Sequence, residues 1–152
     1  MPLLRRHFMA LPTLALADTT AIAQPVEVKA TQPWARATAA SARSGAAYLI
    51  LVAGAADAVV GASSPIAATA ELHRTVNEEG IIKILPAPNL ELPGGTPVEL
   101  KPGGLHIMLV GLTSPLKQGM SFPITLRFRT AAPVTISVKV EGPGASGPGH
   151  SH

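Results

Sequence analysis

Two side chains that could bind a soft metal ion lie two residues apart, at His106 and Met108. Residues i and i+2 of a β-strand project to the same face, and Leu105, Ile107 and Leu109 supply an apolar face on the other side. An imidazole nitrogen beside a thioether sulfur suits Cu(I), whereas Mg²⁺ and Ca²⁺ prefer oxygen ligands. The pair therefore indicates a candidate copper site. The alternative is that His106 is a surface histidine that makes ordinary hydrogen bonds and binds no metal.

Other histidines and methionines could contribute to such a site. His73 ends the segment Glu71-Leu72-His73 on another predicted strand, where a rim histidine bonded to backbone is the alternative. His150 and His152 form a His-x-His pair that could bind Cu(II) or Zn²⁺ loosely as an accessory site, with a solvated terminus as the alternative. Met120 lies in a turn and is interpreted as an apolar residue that leads into a strand.

The composition excludes several classes of protein. The 152 residues include no cysteine, which rules out disulfides, thiolate zinc sites, iron–sulfur clusters and the cysteine ligand of a blue-copper centre. Apolar residues make up 47% and aromatic residues 3%, with 15 prolines and 14 glycines, so we expect an aliphatic core of short extended segments. The net charge of +3 comes without a basic run interleaved with aromatics, and nucleic-acid binding is not expected.

The N-terminus is predicted to be an export signal spanning residues 1–23. A basic segment, Arg5-Arg6-His7, precedes an apolar stretch from Phe8 to Ala17, and Ala21-Ile22-Ala23 supplies the small residues of a cleavage site. The apolar stretch is too short to cross a bilayer, so no permanent membrane anchor is expected. An amphipathic N-terminal segment of a cytoplasmic protein is the alternative.

The remaining chain predicts an all-β domain over residues 24–140. Alternation of apolar and polar residues is clearest over 122–128 and 134–140, as a strand buried on one face requires. Weaker strand candidates are Val26–Ala30, Ala46–Ala53, Ala58–Ala62, Ala70–Val76, Gly80–Leu85, Pro97–Leu100 and Leu105–Val110. About nine short strands at this spacing favour a Greek-key β-sandwich or barrel. The tail, residues 141–152, is rich in Gly, Pro and Ser and is predicted to be disordered.

Signatures of catalysis are missing from the sequence. Gly61-Ala62-Ser63-Ser64-Pro65 lacks the second glycine of a nucleophile elbow. Glu78 and Glu79 are adjacent, so on a strand they diverge rather than form a carboxylate pair. The chain is therefore predicted not to be an enzyme.

The spacing of the candidate ligands resembles that of the periplasmic copper chaperones of the PCu(A)C type. Their pattern is a His, ten residues, a Met, twenty-one residues and then His-x-Met. Here His73, position 84 and His106-Ile107-Met108 have that spacing. The resemblance runs in order from about Pro33 to Val140, through Pro33-Trp34-Ala35-Arg36-Ala37-Thr38, Gly45-Ala46-Ala47-Tyr48-Leu49, Glu71-Leu72-His73, Leu92-Pro93-Gly94-Gly95, Pro102-Gly103-Gly104-Leu105-His106-Ile107-Met108-Leu109, Gly119 and Phe122-Pro123-Ile124-Thr125-Leu126.

The resemblance implies a cupredoxin-like fold and a copper chaperone in the periplasm of a Gram-negative bacterium. It implies Cu(I) bound by His73, His106 and Met108, and delivery towards cytochrome c oxidase. Copper-accepting periplasmic proteins or cytochrome c oxidase subunit II would then be its partners. Position 84 departs from the family pattern, because Ile84 replaces a methionine ligand and cannot bind a metal.

Two other functions stay open on the sequence. A metal-free interaction module would keep the same fold after losing copper binding, and Ile84 favours that alternative. An exported hydrolase would need a carboxylate pair or a catalytic triad, which the sequence does not show.

Overall fold

The structure, a computed structural model, describes residue 12 and residues 14–20 and 25–149. Most of the predicted signal peptide, residues 1–23, lies outside the described residues. His150 and His152 also lie outside them. Within the described ranges no helix is long and apolar enough to cross a membrane.

The described residues form ten β-strands and no helix. The strands are β1 (Val28–Arg36), β2 (Ser44–Ala53), β3 (Asp57–Ser63), β4 (Ala67–Glu78), β5 (Ile81–Pro86), β6 (Leu90–Leu92), β7 (Val98–Glu99), β8 (Leu105–Leu112), β9 (Ser121–Phe128) and β10 (Val134–Glu141).

Seven of these strands close into a barrel in the order β4-β8-β2-β1-β10-β9-β3. The β1–β10 pair is parallel and the other pairs are antiparallel. The barrel closes where Ala62 of β3 pairs with Ala70 of β4. Beyond Ala70, β4 pairs with β5 over residues 73–78. Strand β5 therefore extends the sheet as an outer edge beside the barrel.

Alternation along the strands places the core inside the barrel. On β9 the buried side chains are Phe122, Ile124, Leu126 and Phe128, while the residues between them are exposed or half-buried. Each such aliphatic or aromatic side chain contributes about 1.5–3 kcal/mol when fully buried. The predicted all-β fold is confirmed, and the two clearest period-two patterns, on β9 and β10, each turn one face to this core.

Two elements differ from the prediction. Strand β1 continues from the predicted segment to Arg36, and it carries Trp34 against Tyr48 at a ring-centroid distance of 4.7 Å. Strand β6 was not predicted, because three residues are too few to show a period; both of its leucines are buried.

The C-terminal tail makes contacts with the domain. Glu141 is the last residue of β10. Arg36 Nε donates a hydrogen bond to the Ala145 carbonyl at 2.7 Å, and Gly149 N donates to Glu141 Oε1 at 3.3 Å. The domain boundary at residue 140 and the disorder of the tail stay predictions.

Asp57 is a buried carboxylate at the start of β3. It accepts hydrogen bonds from the backbone N–H groups of Ala58, Thr130 and Ala131 at 2.8–2.9 Å. Burial by itself raises the pKa of Asp57, but the three N–H donors and the nearby Arg129 outweigh burial, so the pKa is lowered. The ionised carboxylate thus ties β3 to the loop that follows β9.

Candidate metal centre

The candidate ligands lie on two neighbouring strands, β4 and β8. In this antiparallel pair His73 stands directly opposite His106, and directly opposite residues project to the same face of the sheet. The two imidazole ring centroids are 6.1 Å apart, with their planes inclined by 55°. The register therefore brings together two histidines that are distant in the chain.

Strand β8 separates its metal-ligand candidates from the core. Ile107 and Leu109 are fully buried in the core, while His106 and Met108 project to the opposite face. Met108 is half-buried and stands opposite Glu71 of β4 and Ala46 of β2. His106 is only 6% exposed, although it points away from the core.

Hydrogen bonds assign the free nitrogen of each imidazole. His106 Nδ1 lies 3.0 Å from the Gly104 carbonyl oxygen, which can only accept, so Nδ1 is the N–H donor and Nε2 keeps its lone pair. His73 Nε2 lies 3.0 Å from Glu71 Oε2. The Nδ1 atom of His73 is buried and has no hydrogen-bond partner among the described residues.

An unpartnered buried nitrogen fits a metal ligand. A buried polar atom without a partner costs about 1–3 kcal/mol, and natural proteins satisfy the great majority of such atoms. A metal ion bound at His73 Nδ1 would remove this cost, because it would accept the lone pair. His73, His106 and Met108 together offer nitrogen and sulfur donors, which suit copper.

Position 84 lies on the same face as these residues. Ile84 of β5 stands opposite Thr75 of β4, and Pro86 stands opposite His73. Because His73 and Thr75 are two residues apart on one strand, they share a face. Ile84 is therefore a diagonal neighbour of His73, with 51% of its surface exposed. The methionine expected from the family pattern would lie beside the site, and isoleucine offers no donor there.

A cleft of about 270 Å³ opens beside His73, in the gap where β4 leaves β3 and begins to pair with β5. Its lining includes Glu71, Gly61, Arg127 and Pro86. The Arg127 guanidinium covers Gly61, since a Cβ added at Gly61 would clash with it. The cleft reaches His73, and its lining does not include His106 or Met108.

Other candidates lie elsewhere or were not predicted. Met120 packs at the start of β9, where its sulfur accepts a hydrogen bond from Lys117 N at 3.2 Å, so it does not join the histidines. Glu71 was not predicted as a site residue. Its position two residues before His73 indicates that the two side chains share one face of the strand, which could have identified it. In the described part of the chain no group of three or more His, Cys, Asp or Glu residues is arranged to hold a metal.

Comparison with known proteins identifies the family. A family model described as "Putative lipoprotein LpqE-like" matches residues 28–140. The chain belongs to the LpqE-like family. It is 42% identical over 84 residues to "Putative lipoprotein Lxx21020" of Leifsonia xyli subsp. xyli, and 33% identical over 116 residues to "Uncharacterized protein RP573" of Rickettsia prowazekii. The matched regions span 51% and 64% of those two relatives' own lengths.

Solved structures of PCuAC domains resemble this LpqE-like domain. The copper-bound PCuAC domain from PmoF2 is 27% identical, with a TM-score of 0.65 over 76% of this chain and 93% of that domain. Apo-DR1885 from Deinococcus radiodurans is 28% identical, with a TM-score of 0.59 over 93% of this chain and 97% of that protein. CuI-DR1885 is 29% identical, with a TM-score of 0.58 over 72% and 75%. The predicted cupredoxin-like fold and the resemblance to PCu(A)C copper chaperones are confirmed.

Proposed function

We propose that this protein is an exported, non-enzymatic copper carrier that binds Cu(I) through His73, His106 and Met108. The observation that carries the proposal is the direct cross-strand pairing of His73 with His106, with a buried nitrogen on His73 that has no hydrogen-bond partner in the described part of the chain. Met108 follows two residues after His106 on the same face and adds a thioether. The copper-bound state of the PmoF2 and DR1885 structures supports copper as the cargo.

The ligand set favours transfer over permanent retention. Two neutral imidazoles and one thioether bind copper without a charged ligand, so a thiolate or a site with more ligands can take the ion. Because a protonated imidazole cannot bind a metal, acid weakens capture. These properties suit a carrier that releases its ion to another protein.

The compartment and the recipient are part of the same proposal. The family and one relative bear names that describe lipoproteins, which supports export. The predicted signal over residues 1–23 points in the same direction. We place the protein in the periplasm, with copper-accepting periplasmic proteins or cytochrome c oxidase subunit II as recipients. The recipient rests on the resemblance to PCu(A)C chaperones.

Competition with a chromophoric Cu(I) chelator tests copper binding directly. His106→Ala and Met108→Leu are expected to weaken Cu(I) binding at least tenfold, while Met120→Leu leaves it unchanged. Met120 is a matched control because it is a half-buried methionine away from the histidines. A wild-type protein that cannot compete for Cu(I), with His106→Ala indistinguishable from it, would refute the proposal.

A metal-free interaction module is the second candidate. It is favoured by Ile84, which removes a thioether donor, and by the apolar edge strand β5, where Ile81 and Ile82 are 61% and 71% exposed. Complementation of a deletion strain separates the two functions. Full complementation by both His73→Ala and Met108→Ala would favour the module, whereas loss of complementation with retained folding would favour the carrier.

A further inference from the structure

Among the described residues, Glu71 makes the only hydrogen bond to the His73 imidazole. Its carboxylate oxygen Oε2 lies 3.0 Å from His73 Nε2, while its own side chain is 55% exposed. An ionised carboxylate accepts hydrogen bonds and cannot donate them. The proton of a neutral His73 ring must therefore be on Nε2 for this bond to form.

Placing the proton on Nε2 leaves the lone pair on Nδ1. A neutral imidazole has one N–H donor and one acceptor nitrogen. In His73 the acceptor is the buried Nδ1 atom, for which the described residues 12, 14–20 and 25–149 provide no partner. On the facing strand the Gly104 carbonyl holds the proton of His106 on Nδ1, so the lone pair of that ring is on Nε2. The two opposed histidines thus present different nitrogens.

We propose that Glu71 is a positioning residue that fixes the tautomer of His73, so that Nδ1 is the nitrogen through which His73 binds copper, while His106 binds it through Nε2. This inference rests on the proposed copper site. Partners that orient a histidine through its other ring nitrogen are common around metal sites, and their loss typically lowers metal affinity 10–100-fold. Glu71 gives His73 such a partner, and the Gly104 carbonyl gives His106 an equivalent one.

The test combines ¹⁵N NMR of the histidine rings with Cu(I) competition on the full protein. At about pH 8.5, well above the ordinary pKa of imidazole, the copper-free wild type is expected to show His73 protonated on Nε2 and His106 protonated on Nδ1. Addition of Cu(I), which is diamagnetic, is expected to shift the resonances of His73 Nδ1 and His106 Nε2. The N–H groups at the other two nitrogens are expected to persist.

Substitutions separate positioning from direct ligation. Glu71→Ala is expected to give His73 a mixture of tautomers and to lower Cu(I) affinity about 10–100-fold. Glu71→Gln is expected to keep much of the affinity, because its amide oxygen still accepts from Nε2–H. Glu78→Ala is the matched control, since it removes a carboxylate from the same strand whose partner is Lys83 rather than a histidine.

Each outcome decides one question. Wild-type His73 protonated on Nδ1, together with normal Cu(I) binding, overturns the role of Glu71 and leaves the carrier function intact. The expected tautomers without any Cu(I) binding refute the proposed function instead. If Glu71→Gln lowers affinity as much as Glu71→Ala while the His73 tautomer stays unchanged, Glu71 binds copper itself and the positioning role is wrong.

Discussion

Ile84 is the position where one substitution should strengthen the proposed site. Ile84 is a diagonal neighbour of His73 on the same face of the sheet. Diagonal neighbours in antiparallel sheets are about 7–8 Å apart, with their Cβ atoms somewhat closer, and metal–ligand bonds to nitrogen and sulfur are about 2.0–2.3 Å long. A methionine sulfur two bonds beyond Cβ can therefore share a metal ion with the His73 ring. Ile84→Met would restore the thioether of the family pattern.

The expected gain is at least tenfold in Cu(I) affinity, or about 1.4 kcal/mol. Holding a methionine side chain in one rotamer costs up to about 1.5–2 kcal/mol, so the added copper–sulfur bond must exceed that cost. The fold should change little, because Ile84 is 51% exposed on an edge strand. Volume-conserving apolar exchanges usually cost less than about 1.5 kcal/mol even in a core.

Competition with a Cu(I) chelator measures the change, and Ile82→Met is the matched control. Ile82 lies on the same strand and face, opposite Asn77, but about 7 Å further from His73. It is 71% exposed, so it accepts methionine equally well. The reasoning is refuted if Ile84→Met leaves the affinity unchanged, or if Ile82→Met raises it by the same factor.

The remaining predictions concern stability. Asp57→Ala should lower the free energy of unfolding by about 3 kcal/mol in urea titrations, because it leaves the buried N–H group of Ala131 and the part-buried N–H group of Thr130 without their acceptor. Equal stability of wild type and variant would rule out this anchoring role. Since the folded state lowers the pKa of Asp57, its stabilisation is present above the unfolded-state value and is lost as pH falls through the folded-state value. The stability difference between wild type and Asp57→Asn should therefore shrink in acid, and a difference that grows in acid would contradict the lowered pKa. Gly111→Ala should destabilise more than Gly80→Ala in thermal unfolding: both glycines have positive φ, but only at position 111 would a new Cβ meet another atom, Ala68 Cβ at 2.8 Å. Equal losses would show that this contact relaxes freely.

Much of the fold follows from local pattern. The alternation on β9 and β10 determines which side chains enter the core, because successive strand residues point to opposite faces whatever their neighbours are. The same rule places His106 and Met108 on one face, opposite Ile107. The soft donors and the absence of cysteine define which metals a site could take. Strand β6 escaped prediction because its three residues are held by tertiary contacts rather than by a repeating pattern.

The assembly of the site was decided by the tertiary structure. Alternation cannot specify which residues of distant strands stand opposite each other, because register depends on the packing of the whole barrel. Pairing of β4 with β8 places His73 against His106, and pairing of β4 with β5 places Ile84 diagonally beside His73. The burial of His106 and the free Nδ1 of His73 also arise only in the folded chain. The sequence by itself determined the types of the candidate ligands and the face that they share, while the barrel register decided which of these candidates lie opposite each other.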